Sequence, residues 1–202
     1  MIGLLLVFIT VSVIVAFTGI AVGSGVVAAA RRLDTPRPAG LLPAGQPRTV
    51  DTLQLRDAVT VFGETYLVEG SARMTEHGSH RWTYRVNDAG RVRWLYAAQR
   101  DTLRIWLLEE MRTPPFEGAP PERLTWAEVP YKLKTLGRAD VQLTGTTDRP
   151  QGAGRVEYHH HAGPGDHIMV VERWGGETVT LRGRQVEPGA VELLPGDLIQ
   201  KR

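Results

Sequence analysis

The first thirty residues carry no charged side chain, and the run ends at Arg31-Arg32. Roughly twenty apolar residues in helical form cross a hydrocarbon core of about 30 Å. Met1–Ala30 is therefore predicted to form one transmembrane helix. The competing reading is a cleaved secretory signal, suggested by the small residues Ala28-Ala29-Ala30. A signal peptide, however, has a basic start and an apolar run of only about 7–15 residues. Met1-Ile2-Gly3 contains no Lys or Arg, and the run is too long, so the anchor reading is preferred. Arg31, Arg32 and Arg37 follow the span and no basic side chain precedes it. The positive-inside rule then places a short N-terminus outside and the C-terminal part in the cytoplasm, at the inner membrane of the cell. Gly19 and Gly23 form a small-residue face that lets two helix backbones approach and would allow a homodimer. Glycine is also common in membrane helices generally, which is the plainer explanation.

Residues 31–50 hold four prolines and no apolar periodicity, so they read as an extended juxtamembrane linker. The rest of the chain contains all five Trp and enough apolar material for a core. Its acids and bases alternate and leave a net charge of only +2 for the whole protein. No clustered basic face is visible, which argues against nucleic-acid binding. The absence of cysteine removes disulfides, thiolate chemistry and Cys-based zinc sites.

Beyond residue 50 the pattern is β almost throughout. Ala58–Phe62, Thr65–Met74, His80–Val86, Val92–Ala98 and Leu103–Glu109 are short runs rich in Val, Tyr, Trp and Leu, separated by turn residues. Asn87-Asp88-Ala89-Gly90 reads as a hairpin turn. After the Pro-rich stretch 112–121 the scheme recurs in Val141–Gly145, Gly154–His160, His167–Arg173, Thr178–Arg182 and Ala190–Leu194. Glu122–Leu136 is the one segment that suits a short helix, limited by Pro130. The fold class expected is an all-β soluble domain, made of two antiparallel β units at 51–111 and 122–202, behind one transmembrane helix. An offset of about 75 residues places Val68-Glu69-Gly70 on Leu143-Thr144-Gly145, Gly90 on Gly165 and Leu103–Trp106 on Thr178–Leu181. With a one-residue slip it also places Trp82-Thr83-Tyr84 on Val156-Glu157-Tyr158. A duplication is expected to pack two similar units on each other, with a groove between them as the natural ligand site.

Several features occur in a telling order: Leu55-Arg56-Asp57, Tyr66-Leu67-Val68-Glu69-Gly70, Trp82-Thr83-Tyr84, Trp94-Leu95, Tyr158, and Glu172-Arg173-Trp174-Gly175-Gly176-Glu177. This order resembles the bacterial domain-of-unknown-function family numbered 4178 over residues of about 51–196. The chain departs from the family's usual Gly-Asp at Arg56-Asp57, and from its Trp-x-Glu-Tyr-like spacing at Trp82-Thr83-Tyr84. The resemblance implies an all-β domain, frequent association with small bacterial membrane proteins, and no catalytic residues that could be carried over.

Few residues suggest chemistry. His159 and His161 share one face of a strand, and a hairpin could bring His167 opposite them, giving imidazoles for zinc or another divalent metal. A solvated polar strand face explains the same residues more simply. Glu109 and Glu110 are adjacent and face opposite sides, while Glu172 and Glu177 flank a turn. Ser71 and Ser79 lack a nucleophile context. Trp82, Tyr84, Trp94, Tyr96 and Trp106 could stack a ligand, but recur as a β core does. The function expected is a membrane-tethered interaction or regulatory module contacting the bilayer and a membrane-associated protein. The alternative is a small-molecule or metal sensor using the His159–His167 region or the inter-unit groove. An enzyme ranks last.

Overall fold

The computed structural model describes residues 46–196 apart from 151 and 153. The predicted membrane span, with Gly19 and Gly23, lies outside the described residues. Among the described residues no helix is long and apolar enough to cross a membrane.

Eleven strands follow in chain order: β1 Ala58–Val61, β2 Glu64–Glu76, β3 Ser79–Asp88, β4 Arg91–Gln99, β5 Leu103–Glu110, β6 Arg123–Trp126, β7 Val129–Gly145, β8 Arg155–Ala162, β9 His167–Trp174, β10 Glu177–Val186 and β11 Val191–Leu194. A 3₁₀ turn at Pro188–Ala190 lies between β10 and β11. The strands form one sheet in the order β11-β1-β2-β3-β4-β5-β10-β9-β8-β7-β6. A further antiparallel ladder between β2 and β7, from Gly70↔Gly145 to Thr75↔Asp140, closes eight of them into a barrel. Closure removes the exposed edges that an open sheet of this width would present.

The two halves are built alike. Each begins with a short hairpin strand (β1 or β6), continues into a long bulged strand (β2 or β7) and ends in three more antiparallel strands. They meet edge to edge, along β5–β10 and β2–β7. They are not stacked face to face, as the expected duplication would have packed them. The barrel encloses the expected core instead.

Inside the barrel, Ala72, Met74, Trp94, Tyr96, Trp106, Leu108, Val156, Tyr158, Val170, Trp174 and Leu181 belong to one buried cluster. Side chains of this size fill an eight-stranded barrel. A second cluster lies on the outer face of β3–β5, where Val59, Val61, Tyr66 and Val68 cover Trp82, Tyr84, Leu95 and Ile105. Bulges make this two-core arrangement possible. In β2 every second residue from Tyr66 to Met74 is buried, yet the first pair faces the outer cluster and Ala72 and Met74 face the barrel. The extra residue at Glu69, between Val68 and Gly70, changes the facing. The bulge between Leu133 and Thr135 does the same for β7. There Tyr131 packs outside with Met111, Leu124 and Met169, while Ala139 packs within.

The segment predicted as a short helix, Glu122–Leu136, forms the β6–β7 hairpin. Its two turn residues, Ala127 and Glu128, both adopt positive φ, as a type I′ turn requires. Neither is the Gly or Asn that signals such a turn, which hid it. Arg48 and Val50, at the end of the stretch read as linker, pack onto the domain. Val50 is buried in the outer cluster and its carbonyl accepts from the Tyr84 hydroxyl. Arg48 pairs with Asp57 at 2.8 Å, both side chains buried.

Candidate functional site

Chemistry-bearing side chains gather at the barrel end formed by the β3–β4 and β9–β10 hairpins and the β7–β8 connection. Where the first half links β2 to β3 by His77-Gly78 alone, the second half links β7 to β8 by the longer stretch 146–154. Arg149 projects from it into the barrel. Its guanidinium lies 4.0 Å from the centre of the Trp94 ring and donates from Nε to Glu172 Oε2 at 2.8 Å. Glu172, on β9, also accepts from Trp174 Nε1 at 3.2 Å. The ion pair is withdrawn from water, with side-chain exposures of 1% for Arg149 and 0% for Glu172. Alternation along β9 turns Glu172 inward with Val170 and Trp174. Arg149 Nη1 reaches Glu110 Oε2 at 3.7 Å, and Glu110 is 47% exposed. The neighbouring Asp148 pairs with Arg85, which also pairs with Glu69.

A surface groove of about 580 Å³ adjoins this end, lined by Leu55, Arg56, Leu67, Val68, Glu69, Arg85, Asn87 and Thr146. Leu55 and Leu67, which both line it, are 42% and 48% exposed. A second groove, of about 430 Å³, lies beside the β6–β7 hairpin and includes Arg123, Tyr131, Lys132 and Pro164.

A further polar network occupies the barrel interior near the β2–β3 hairpin. Tyr158 donates to Glu76, and Arg81 pairs with Glu76 at 3.2 Å while lying 4.3 Å from the centre of the Tyr158 ring. Tyr96 hydrogen-bonds His160 Nε2 at 2.8 Å. Burial pushes His160 down to about 3, so it is neutral across the physiological range. Burial, reinforced by the Glu76 hydrogen bond, raises the Tyr158 hydroxyl to about 12. Hydrogen bonds from Tyr158 and Arg81 outweigh desolvation at Glu76 and hold its carboxyl below the usual range.

The histidines expected as metal ligands are not brought together. His159 and His161 do share the outer face of β8, but His161 Nε2 is hydrogen-bonded to the Pro121 carbonyl at 2.8 Å, beneath the 112–121 connector. His167 starts β9, beyond the Gly163–Asp166 turn. Among the described residues no three His, Cys, Asp or Glu side chains are placed to hold a metal ion. Desolvation lowers both His159 and His161, as expected of packed neutral imidazoles. Of the two carboxylates flanking the β9–β10 turn, Glu172 is buried and Glu177 exposed. The aromatic series divides between the two cores: Trp94, Tyr96 and Trp106 inside, Trp82 and Tyr84 outside. Sequence reasoning passed over Arg149, since a lone basic residue in a Gly- and Pro-containing loop carries no signal. His160 lay in the conspicuous triple, but its importance depends on pointing the other way.

No curated protein and no solved structure matches the chain. A family model described as "Domain of unknown function (DUF4178)" matches residues 54–188. The match takes in both halves of the barrel, the Leu55–Leu67 groove and the Arg149–Glu172 pair, and the chain belongs to the DUF4178 family.

Proposed function

We propose that the protein is a membrane-tethered interaction module that holds a partner protein at the inner face of the membrane through the Leu55–Leu67 groove. The observation carrying this reading is the pair of half-exposed leucines in a groove that Arg56 and Arg85 also line. The barrel interior is occupied by large side chains, so the outer surface is where a macromolecule can be met. The uncharged stretch Met1–Ala30, followed by Arg31-Arg32 and a Pro-rich linker, supports single-pass anchoring with the barrel in the cytoplasm. Gly19 and Gly23 supply the face for a helix-mediated homodimer.

A photo-crosslinkable residue at Leu67, compared with one at Leu136, tests the groove in cells. Leu136 is 61% exposed and does not line this groove, so it controls for simple exposure. A discrete adduct at position 67 alone is the expected result. Equal labelling at both positions, or none at either, would remove the groove from the account.

A sensor reading is favoured by one specific observation, the aromatic and acidic enclosure around Arg149. We also read the two halves as copies of one five-strand unit. A bulge in each of the long strands, at Glu69 in β2 and Lys134 in β7, and the shared hairpin-then-meander order support this, although the bulges are spaced 65 residues apart and not 75. The 75-residue offset is met on both seams, at Gly70↔Gly145 and Leu108↔Gly183. The slipped match of Tyr84 with Tyr158 is not part of it, because Tyr84 faces the outer cluster and Tyr158 the barrel.

A further inference from the structure

The enclosure around Arg149 has the composition of a cation site. Trp94 offers its ring face, Glu172 a fully buried carboxylate, and Glu110 a second, half-exposed carboxylate at the rim. An aromatic face with a desolvated carboxylate is the arrangement by which proteins recognise organic cations. Its occupant fits incompletely. Arg149 Nη1 and Nη2, Glu172 Oε1 and Trp94 Nε1 are all buried and have no hydrogen-bond partner among the described residues. A guanidinium evolved only to seal this end would be expected to spend its five donors. Here a single strong bond, from Nε, is made to Glu172.

The occupant is also supplied in an unusual way. It comes from the one strand connection that the first half of the barrel lacks in comparable length. Its route to solvent is short, since Nη1 lies 3.7 Å from a carboxylate that is itself half-exposed. Two acidic groups, one at the rim and one in the interior, would draw a small cation along that route.

We propose that the Trp94–Glu172–Glu110 enclosure is a binding site for small guanidinium-bearing molecules, and that Arg149 is a built-in occupant which such a ligand displaces. This deepens the sensor reading and is independent of the Leu55–Leu67 groove. Displacement has a built-in consequence: Asp148, next to Arg149, pairs with Arg85 in the groove wall, and Thr146 of the same turn lines that groove. Occupation by ligand would therefore loosen a wall of the partner surface.

The test uses the full-length protein in detergent and n-propylguanidinium as probe, with n-propylurea as its neutral isostere. Binding is read by tryptophan fluorescence, because Trp94 and Trp174 frame the site. Expected are a saturable response of the wild-type protein to the guanidinium, none to the urea, at least tenfold tighter binding in Arg149→Ala, and loss in Glu172→Gln. Saturable binding by Arg149→Ala with none by wild type would overturn displacement and make Arg149 a permanent structural plug. A wild-type response shared by the urea, or retained in Glu172→Gln, would overturn the cation site. Should either variant fail to fold, the wild-type comparison still decides: a saturable response to the guanidinium alone supports the site, and no response, or one shared by the urea, overturns it. Failure of this test leaves the crosslinking result at Leu67 unaffected, so the two readings fail separately.

Discussion

Arg56 adopts φ 71, in the left-handed region that side chains with a Cβ rarely enter. The position is imposed from outside: its N–H donates to the Val68 carbonyl, and the next residue, Asp57, accepts from Arg48, the Gln54 amide and the Gly196 amide. The departure from Gly-Asp noted in the sequence thus falls on a backbone that suits glycine. Arg56→Gly is expected to stabilise the domain by about 1 kcal/mol, the left-handed penalty less glycine's unfolded-state entropy. The measure is the urea midpoint at unchanged m-value; an unchanged or lower midpoint would show that the Arg56 side chain contributes more than its backbone costs. The buried pair behaves differently. Glu172→Gln leaves the buried Arg149 charge with only the half-exposed Glu110 carboxylate, 3.7 Å away, and should cost about 3 kcal/mol. Arg149→Met with Glu172→Met should recover most of that, since replacing both ions avoids the desolvation cost. Equal losses in the single and double variants would mean that the pair's shape, and not its charge, holds this end of the barrel.

His160 sets an acid limit. Its folded pKa, about 3, lies below the ordinary 6.5 because the ring is buried. The unfolded chain therefore binds a proton that the folded one refuses, so stability is complete above about pH 6.5 and falls as pH drops toward 3. His160→Gln retains an acceptor for the Tyr96 hydroxyl and should flatten the loss between pH 6.5 and 5 in urea titrations. The slope should shrink without vanishing, because His159 and His161 are lowered by burial in the same direction.

At the scale of elements, the long strands β2 and β7 decide the architecture. The strand runs of both halves, Thr65–Met74 among them, were plain in the sequence. What alternation could not reveal is that one face serves two cores, since a bulge changes facing without changing the hydrophobic pattern. Gly70 was visible as a glycine but not as a contact. A Cβ there would overlap the Thr146 carbonyl, and one at Gly145 would overlap that of Glu69. Gly70→Ala is therefore expected to break the β2–β7 seam, costing at least about 3 kcal/mol, in the range of the largest single-site effects. Amide exchange should show the protection lost first in Gly70–Thr75 and Asp140–Gly145. Uniform loss across the barrel would place the seam within the global cooperative unit. The β6–β7 hairpin was misread for a local reason, because Ala127-Glu128 takes a turn conformation that its residue types do not announce.

For the whole molecule, the all-β class was legible because each strand's pattern is local. Closure was not, for it depends on ladders between residues some 70 positions apart, such as Gly70 and Gly145. The candidate sites were least legible of all. Of the conspicuous histidines, His161 packs under the connector and His160 bonds Tyr96 in the barrel, while the groove and the Arg149 enclosure draw on residues scattered from Leu55 to Trp174. At this scale the account rests on a barrel fixed to a membrane and meeting a partner on its outer surface. The most direct test is co-purification from native membranes after mild detergent extraction, comparing the full chain, residues 46–202, and the full chain with Leu55→Glu and Leu67→Glu. The account predicts one specific partner retained by the full chain, lost from the groove variant while the barrel stays folded, and retained by residues 46–202, which leave the membrane fraction. A partner that ignores the groove substitutions, or residues 46–202 remaining in the membrane fraction without a partner, would contradict it.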